Sequence, residues 1–449
     1  MPDEAILFRQ CLGLTDSKAI SSQIADPKTG KTQLTACRNM TITDDGCIQT
    51  APPTVPMFSH VRPVTRLSAG DRLFFSDDYD TLELDGSTAH NTFPLLSGPM
   101  LHTPIDVRLS TNTAVYKSTG RLQAALLATV GENPNELDDA PYEAQPPFAG
   151  GFVYGARAYS WHGKHLQYSA PIGYAYDLWD LGEGFIPHQF DILQAGSIPG
   201  CILCAHAEGV TVYVGGDPLD PNMVKRFYQC AYIEGTLYSG MISKAMGHGH
   251  VFMCADGVYM VGSDGAIPRL TGDALEYADG LNSSYSGATV HQGKYLAFGD
   301  RSCVEYDFIT KAVMLRDSGV SACCRYGGQM ILAKGADLVT LNSSSMATLP
   351  CSFTLPYSSI GAAGKKYFDS LYITGEVNGD MEITLLDQGD PEDPERWTVE
   401  LSDCGIVQNY RVKLPKGTVG SKTAFRFSTD SGSIRIEEIR ATFGASQRR

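Results

Sequence analysis

Short runs of apolar or alternating residues, broken by tight polar turns, dominate the middle of the chain. Each run-turn-run unit reads as a β-hairpin, because alternation buries one face of a strand while Gly or Asp at the break supplies the turn. Seven such units follow one another: RLFFSDDYDTLEL, TAVYKSTGRLQAAL, RAYSWHGKHLQYS, CILCAHAEGVTVYVGG, HVFMCADGVYMVGSDG, KYLAFGDRSCVEYD and QMILAKGADLVTLN. Their turns fall at Asp78, Gly120, Gly163, Gly209, Gly257, Gly299 and Gly335, so successive spacings are 42, 43, 46, 48, 42 and 36 residues. That interval matches the roughly 40–50 residue period of four-stranded propeller blades. The spacing predicts an irregular β-propeller of six or seven blades over residues 35–345, since one hairpin can belong to an insertion or a strand from elsewhere can close the ring. MTITDDGCIQ, with its turn at Asp45-Gly46, is the candidate closing piece.

The two ends differ from the middle. Residues 1–34 mix short helical periodicity with Pro and Gly and read as an extended N-terminal arm. Beyond a linker at SSSMATLP, the segments SFTLPYS, KKYFDSLYITGEV, GDMEITLLDQ, RWTVELSD, QNYRVKLP, KTAFRFSTD and SIRIEEIRATF alternate with period two. They predict a C-terminal β-sandwich over 346–449, with a two-residue hairpin turn at Asn378-Gly379. The fold class is therefore all-β.

Composition narrows the function. Of 449 residues, 46 are Gly, 24 are Pro and 43% are hydrophobic, which suits a turn-rich protein with a packed core. No apolar run approaches the ~20 residues of a membrane-spanning helix, and the acidic start MPDEAILFRQ carries no signal-peptide pattern. Lys and Arg total 35 against 50 Asp and Glu, a formal charge of −15, the wrong sign for broad capture of nucleic acid. Lys365-Lys366 and Arg448-Arg449 are the only basic clusters. Twelve Cys are too sparse for a disulfide-stapled scaffold and read as reduced thiols in strands.

The candidate chemistry is thin. Cys201-x-x-Cys204 has no second CxxC and lies in an apolar strand, so it reads as packing rather than as a zinc or redox site. Cys323 and Cys324 point to opposite faces of one strand. His248 and His250 lack a carboxylate or thiol at ligand spacing, and His162 and His165 merely straddle a turn. No Asp-box, G-x-S-x-G elbow, P-loop or Rossmann fingerprint is present, and three Trp are too few for WD40 repeats. The expectation is a protein without catalytic residues, cofactor or metal. The acidic positions Asp77, Asp78 and Asp80 and the Pro-containing loop bearing Asp390, Glu392, Asp393 and Glu395 are the candidates for exposed acidic surface.

An early turn-rich DDGCIQTAPP, blades such as HVFMCADGVYMVGSDGAIPRLTG and KYLAFGDRSCVEYDFITKAVMLRD, and a final IRIEEIRATF strand give a layout over Thr35 to Phe443. This layout resembles the tail nozzle or tail hub proteins of short-tailed bacteriophages, although no segment matches the tip insertions that some nozzles carry. The resemblance implies a virion structural protein, assembled in the host cytoplasm as a ring of six copies below the portal and adaptor. It also implies contacts with tail fibres and tip proteins, and passage of double-stranded DNA without sequence-specific binding. An acidic lumen would keep a polyanion from sticking as it moves. Two other classes fit a propeller: a polysaccharide lyase or glycoside hydrolase with its groups converging at the central mouth, and a monomeric protein-interaction propeller.

Overall fold

A computed structural model describes residues 3–14, 26, 28–118, 125–129, 145–170, 176, 179, 184–215, 220, 223–271, 284–341, 346–357, 366–387, 395–402, 404–415, 419–420 and 422–445. The described residues are all-β, with no helix.

Seven small antiparallel sheets form a β-propeller. The inner strands, in ring order, are Arg66–Ala69, Met100–His102, Gly150–Tyr154, Gln194–Ile198, Tyr238–Ser243, Tyr285–His291 and Ala322–Tyr326. Each packs beside the next, Ala322–Tyr326 meets Arg66–Ala69 to complete the circle, and Ser68 Oγ lies 2.7 Å from His102 Nε2 across the first blade boundary. Five of the seven hairpins read from the sequence supply the two middle strands of a four-stranded blade, as in Leu73–Ser76 with Thr81–Asp85 and Gln329–Lys334 with Asp337–Leu341. TAVYKSTGRLQAAL instead supplies the third and outermost strands of blade 2, Ala114–Ser118 with Ala125–Thr129, its turn at Gly120 lying outside the described residues. HVFMCADGVYMVGSDG supplies the second and third strands of blade 5, which has three strands among the described residues. The described residues therefore form seven blades.

Small residues let the inner strands converge. A Cβ on Gly196 would sit 2.2 Å from Ser239 Oγ of the next blade, and one on Gly287 would sit 2.8 Å from Cys323 Sγ. Real Cβ atoms do not tolerate such distances, so these positions admit only glycine without movement. Larger side chains fill the widening gaps between blades, as Tyr295, Tyr306 and Phe308 do between blades 5 and 6.

The seventh blade is closed from upstream. Its outermost strand is Thr54–Ser59, which pairs with Asp337–Leu341. This corrects the expectation that MTITDDGCIQ closes the ring. That hairpin, Met40–Ile42 with Ile48–Thr50, joins a different sheet through Ile48 opposite Ile436. Its buried Met40, Ile42 and Ile48 belong to a separate core.

That core lies between two further sheets. One contains Gly405–Lys413, Lys366–Asn378 and Ser433–Ala445 in adjacent order, with Asp3–Phe8 and the Met40–Thr50 hairpin added; the other runs Glu395–Leu401, Met381–Asp387, Thr423–Thr429, Cys351–Thr354 and Ala36–Arg38. Phe368 of the first meets Phe425 of the second edge-on at 5.6 Å. Two boundaries shift accordingly. Asp3–Phe8 is a strand paired with Ile439–Phe443 rather than an arm, because Ala5 and Phe8 bury into this core. Residues 36–50 likewise belong here and not to the propeller. Asn378-Gly379 is not a hairpin turn: the strands it joins lie in different sheets, and Gly379 at φ 88° makes the corner between them.

The propeller is thus inserted into the two-sheet unit, and both connections lie side by side at blade 7. Ala347 N donates to Ala51 O at 3.0 Å beside the pair Thr54 and Leu341. Blade 6 buttresses the joint, with Ala312 and Met314 completing the two-sheet core. Lys294 Nζ lies 2.9 Å from buried Glu305 and 2.8 Å from Thr41 Oγ1, while Thr41 donates to Glu305 at 2.6 Å. Arg316 pairs with the same carboxylate, and Arg38 reaches Asp317 at 2.9 Å. Burial and the nearby Arg316 push Lys294 down to about 8.

Candidate functional site

The starts of the inner strands surround a cavity of about 710 Å³ at one mouth of the propeller, contributed mainly by blades 1, 2, 3, 6 and 7. Its wall is rich in small polar groups. Thr65 and Ser286 donate their hydroxyl protons to Ser76 O at 3.3 Å and Val320 O at 2.8 Å, and Ser321 donates to Val64 O at 2.5 Å. With those protons directed into the blades, the oxygens remain free to accept hydrogen bonds. Arg66 and Asp78 are exposed, line the cavity, and have no side-chain partner among the described residues. Trp161 also lines it, and its Nε1 is buried without a hydrogen-bond partner among those residues.

Asp78 belongs to a rigid turn. Asp77 is 1% exposed and accepts backbone hydrogen bonds from Tyr79 N and Asp80 N, both at 2.7 Å, through Oδ1. Its Oδ2 lies 3.1 Å from His60 Nε2 and 3.4 Å from Arg62. Burial raises the Asp77 carboxyl, but these four donors together hold it below its ordinary value. Asp80 accepts from Leu95 N at 2.8 Å and Asn91 at 3.3 Å, and faces Arg62 at 3.5 Å. Only Asp78 of the three is therefore a free acidic group at the surface. The expectation that all three form exposed acidic surface is corrected, because Asp77 is an internal cap and Asp80 is shared among three donors.

What the turn presents instead is apolar. Tyr79 is 59% exposed, with the Arg62 guanidinium over its ring at 4.7 Å from the centroid. Leu95 is 83% exposed at φ 58°, a left-handed conformation unusual for a bulky residue, pinned by the Asp80 carboxylate. Sequence reasoning missed Arg66, Tyr79 and Leu95, and discounted Trp161 as one of three scattered Trp. Their only signal was the D-D-Y-D turn, in which the first Asp is a favoured capping residue.

The other candidates disperse. Asp390, Glu392 and Asp393 lie outside the described residues, and Glu395 opens the strand Glu395–Leu401 opposite Leu386. Cys201 packs between blades 4 and 5 and Cys204 between blades 3 and 4, and burial pushes the Cys201 thiol up to about 12. His248 is exposed, whereas His250 is buried against Ser239 Oγ at 2.8 Å and pushed down to about 3 by burial. His162 and His165 are exposed opposite each other across their strand pair. Lys366 is buried rather than part of a basic patch. A cluster with no sequence signal joins His188 Nδ1 to His206 Nε2 at 3.2 Å and Tyr213 to His188 Nε2 at 3.0 Å. Burial and the neighbouring His206 push His188 down to about 3.

No protein family and no curated protein matches the sequence. Among solved structures, the chain is similar to the AfRom2 CNH domain at 10% identity and TM-score 0.41, covering 65% of this chain and 99% of that one. The Neurospora crassa Pan2 WD40 domain matches at 10% identity and TM-score 0.41, over 65% of this chain and 96% of that one. The extracellular domain of a putative hybrid two component system, BT4673 from B. thetaiotaomicron, matches at 10% identity and TM-score 0.44, over 88% of this chain and 61% of that one. The propeller assignment rests on the strand order described above.

Proposed function

We propose that this protein is a virion structural protein of a short-tailed bacteriophage, of the tail nozzle or tail hub kind. Identical copies form a ring, six by resemblance, below the portal and adaptor, and double-stranded DNA passes through it. On this reading the chain carries no reaction; it meets adaptor, fibre and tip proteins and resides in the tail.

The observation that carries the reading is a pair of dissimilar strand edges that are open among the described residues. Gly405–Lys413 ends one sheet of the two-sheet unit, with Ile406 81% exposed and Tyr410 also at the surface. Val224–Gln229 ends blade 4, with Val224 and Phe227 exposed. An open edge is a template for a neighbouring chain, and two unlike edges suit the head-to-tail contacts that generate rings. The buttressed joint between the units supports a part that must keep its shape under load. A formal charge of −15 supports a conduit that does not retain DNA.

Cryo-electron microscopy of the full chain, purified alone and with candidate neighbours, tests the proposal. Class averages should show a rotationally symmetric ring with an axial opening, and Ile406→Asp with Phe227→Asp should abolish it without lowering the melting temperature. Monomers under every condition would overturn the reading.

A further inference from the structure

We propose that the cavity where blades 6 and 7 meet the two chain connections binds a small carboxylate with an apolar body, its charge taken by Lys334 and the Nε–H of Arg316. The inference does not depend on the conduit reading.

Strand register builds the two walls. Phe298, Cys303 and Arg316 stand in one row across three strands of blade 6, Phe298 opposite Cys303 and Cys303 opposite Arg316. Directly paired residues share a face of a sheet, and Phe298 and Cys303 are buried in one cluster with Leu332 of blade 7. Leu332 and Lys334 lie two residues apart in the strand Gln329–Lys334, so Lys334 shares the face that Leu332 turns towards blade 6. All five of these residues line one cavity of about 360 Å³. The connections at Ala51–Thr54 and Leu349-Pro350 supply its third side.

The charges of the lining do not cancel. They are Arg38, Arg316 and Lys334 against Asp317 alone. Asp317 is already occupied, by Arg38 at 2.9 Å and by Asn39 Nδ2, which donates to it at 2.8 Å. Arg316 pairs with Glu305, which does not line the cavity, but its Nε is buried without an acceptor among the described residues. Lys334 has neither an ion pair nor a hydrogen bond among those residues, and its cross-strand neighbour Asp337 instead accepts from Ser59 at 2.6 Å. Burial pushes the Cys303 thiol up to about 12 against the pull of both Arg316 and Lys334, so the two cations lie around one sulfur. A carboxylate carries two acceptor oxygens, one for each donor, and a buried donor without an acceptor is costly.

The remaining wall decides what the carboxylate is attached to. Pro52, Phe298, Val320, Leu332, Leu341 and Leu349 offer hydrocarbon, which rewards an apolar body and gives nothing to a compact, strongly hydrated ion such as phosphate. A cationic ligand would meet Lys334 and find the carboxylate of Asp317 taken. The volume lies at the small end of the roughly 300–1,000 Å³ of small-molecule sites. Because two blades and both connections contribute to the lining, the site exists only in the folded chain, and its ligand should stabilise that state.

The test uses the full chain with sodium octanoate and sodium benzoate as probes, beside octan-1-ol, octylamine and inorganic phosphate, read by titration calorimetry and thermal unfolding. At least one carboxylate should bind with a dissociation constant on the order of 0.1–1 mM and raise the melting temperature as its concentration rises. The three comparison compounds should bind about tenfold more weakly or not at all. Lys334→Met removes the charge at similar length and should weaken carboxylate binding about tenfold or more, whereas Lys334→Arg should retain it. Lys334 holds no partner in the fold, so the melting temperature without ligand should not change; if it does, Lys334→Gln replaces the Met variant. Absence of saturable carboxylate binding overturns the proposal. So does octan-1-ol, octylamine or phosphate binding as tightly as the carboxylates, or carboxylate binding that survives removal of the Lys334 charge.

Discussion

Thr54 and Leu341 are directly paired across the strand that closes the propeller, so the segment entering the ring and the segment leaving it hold each other. The closing strand also reaches the next blade, where the Phe58 ring lies 5.5 Å from that of Phe75. Phe58→Ala removes this half-buried staple and should cost about 2 kcal/mol, somewhat less than truncating a fully buried Phe. Urea unfolding reads the loss directly; a change within error would mean that the ring does not depend on this strand.

The joint between the units carries a sharper expectation. Glu305 is the carboxylate that Lys294 and Arg316 share inside it. Glu305→Ala takes the shared carboxylate from Arg316 and leaves Lys294 to Asp307 at 3.6 Å, and removing one member of such a buried group typically costs about 3–5 kcal/mol. Thermal unfolding should show a large drop, and limited proteolysis should begin at the two connections near Ala51 and Ala347. Wild-type stability in this variant would show that the ion group is solvent-relaxed.

Stability should also fall in mild acid. Burial holds His102 down to about 4 and His188 and His250 down to about 3, while the same residues in the unfolded chain titrate near 6.5. Between these values the unfolded state binds more protons, so unfolding becomes easier as pH falls from about 7 towards 5. Melting temperature measured across that window should decline, and His250→Asn should flatten the decline. A level profile in the wild type would contradict buried neutral histidines.

The Asp77–Asp80 turn separates two adjacent carboxylates by role. Asp77→Ala deprives two backbone N–H groups of their acceptor and should destabilise by about 1–3 kcal/mol. Asp78→Ala, at an exposed position without a side-chain partner among the described residues, should leave unfolding unchanged. Chemical denaturation of the two variants side by side decides between this arrangement and a uniformly solvated acidic loop, which would make them equal.

The elements easiest to read in advance were the local ones. Each middle hairpin, such as Cys201–His206 with Gly209–Val214, joins strands close in sequence through a short turn, so alternation and turn residues locate it. Inner strands such as QAGSI and YSGATVH gave no such signal, because Gly196 and Gly287 are chosen for closeness to the next blade rather than for strand preference. Pairings between distant segments were equally hidden. Nothing local in Asp3–Phe8 indicates that it lies beside Ile439–Phe443, and nothing in TVPMFS indicates that it ends the seventh blade. The acidic turn was visible as acidic, yet whether a carboxylate faces water or caps its own backbone depends on His60 and Arg62, which arrive from the previous loop.

The pairing of Asp3–Phe8 with the last long strand sets an order of events during synthesis. At roughly 5–20 residues added per second, the first strand waits on the order of half a minute or more for its partner to leave the ribosome. Through that interval Ala5 and Phe8 have no sheet to join, and the complete propeller is made while the unit that holds it is still half absent. The newborn chain therefore depends on whatever shields an apolar strand in the cell, and its yield should respond to translation speed and holding chaperones more than its final stability suggests.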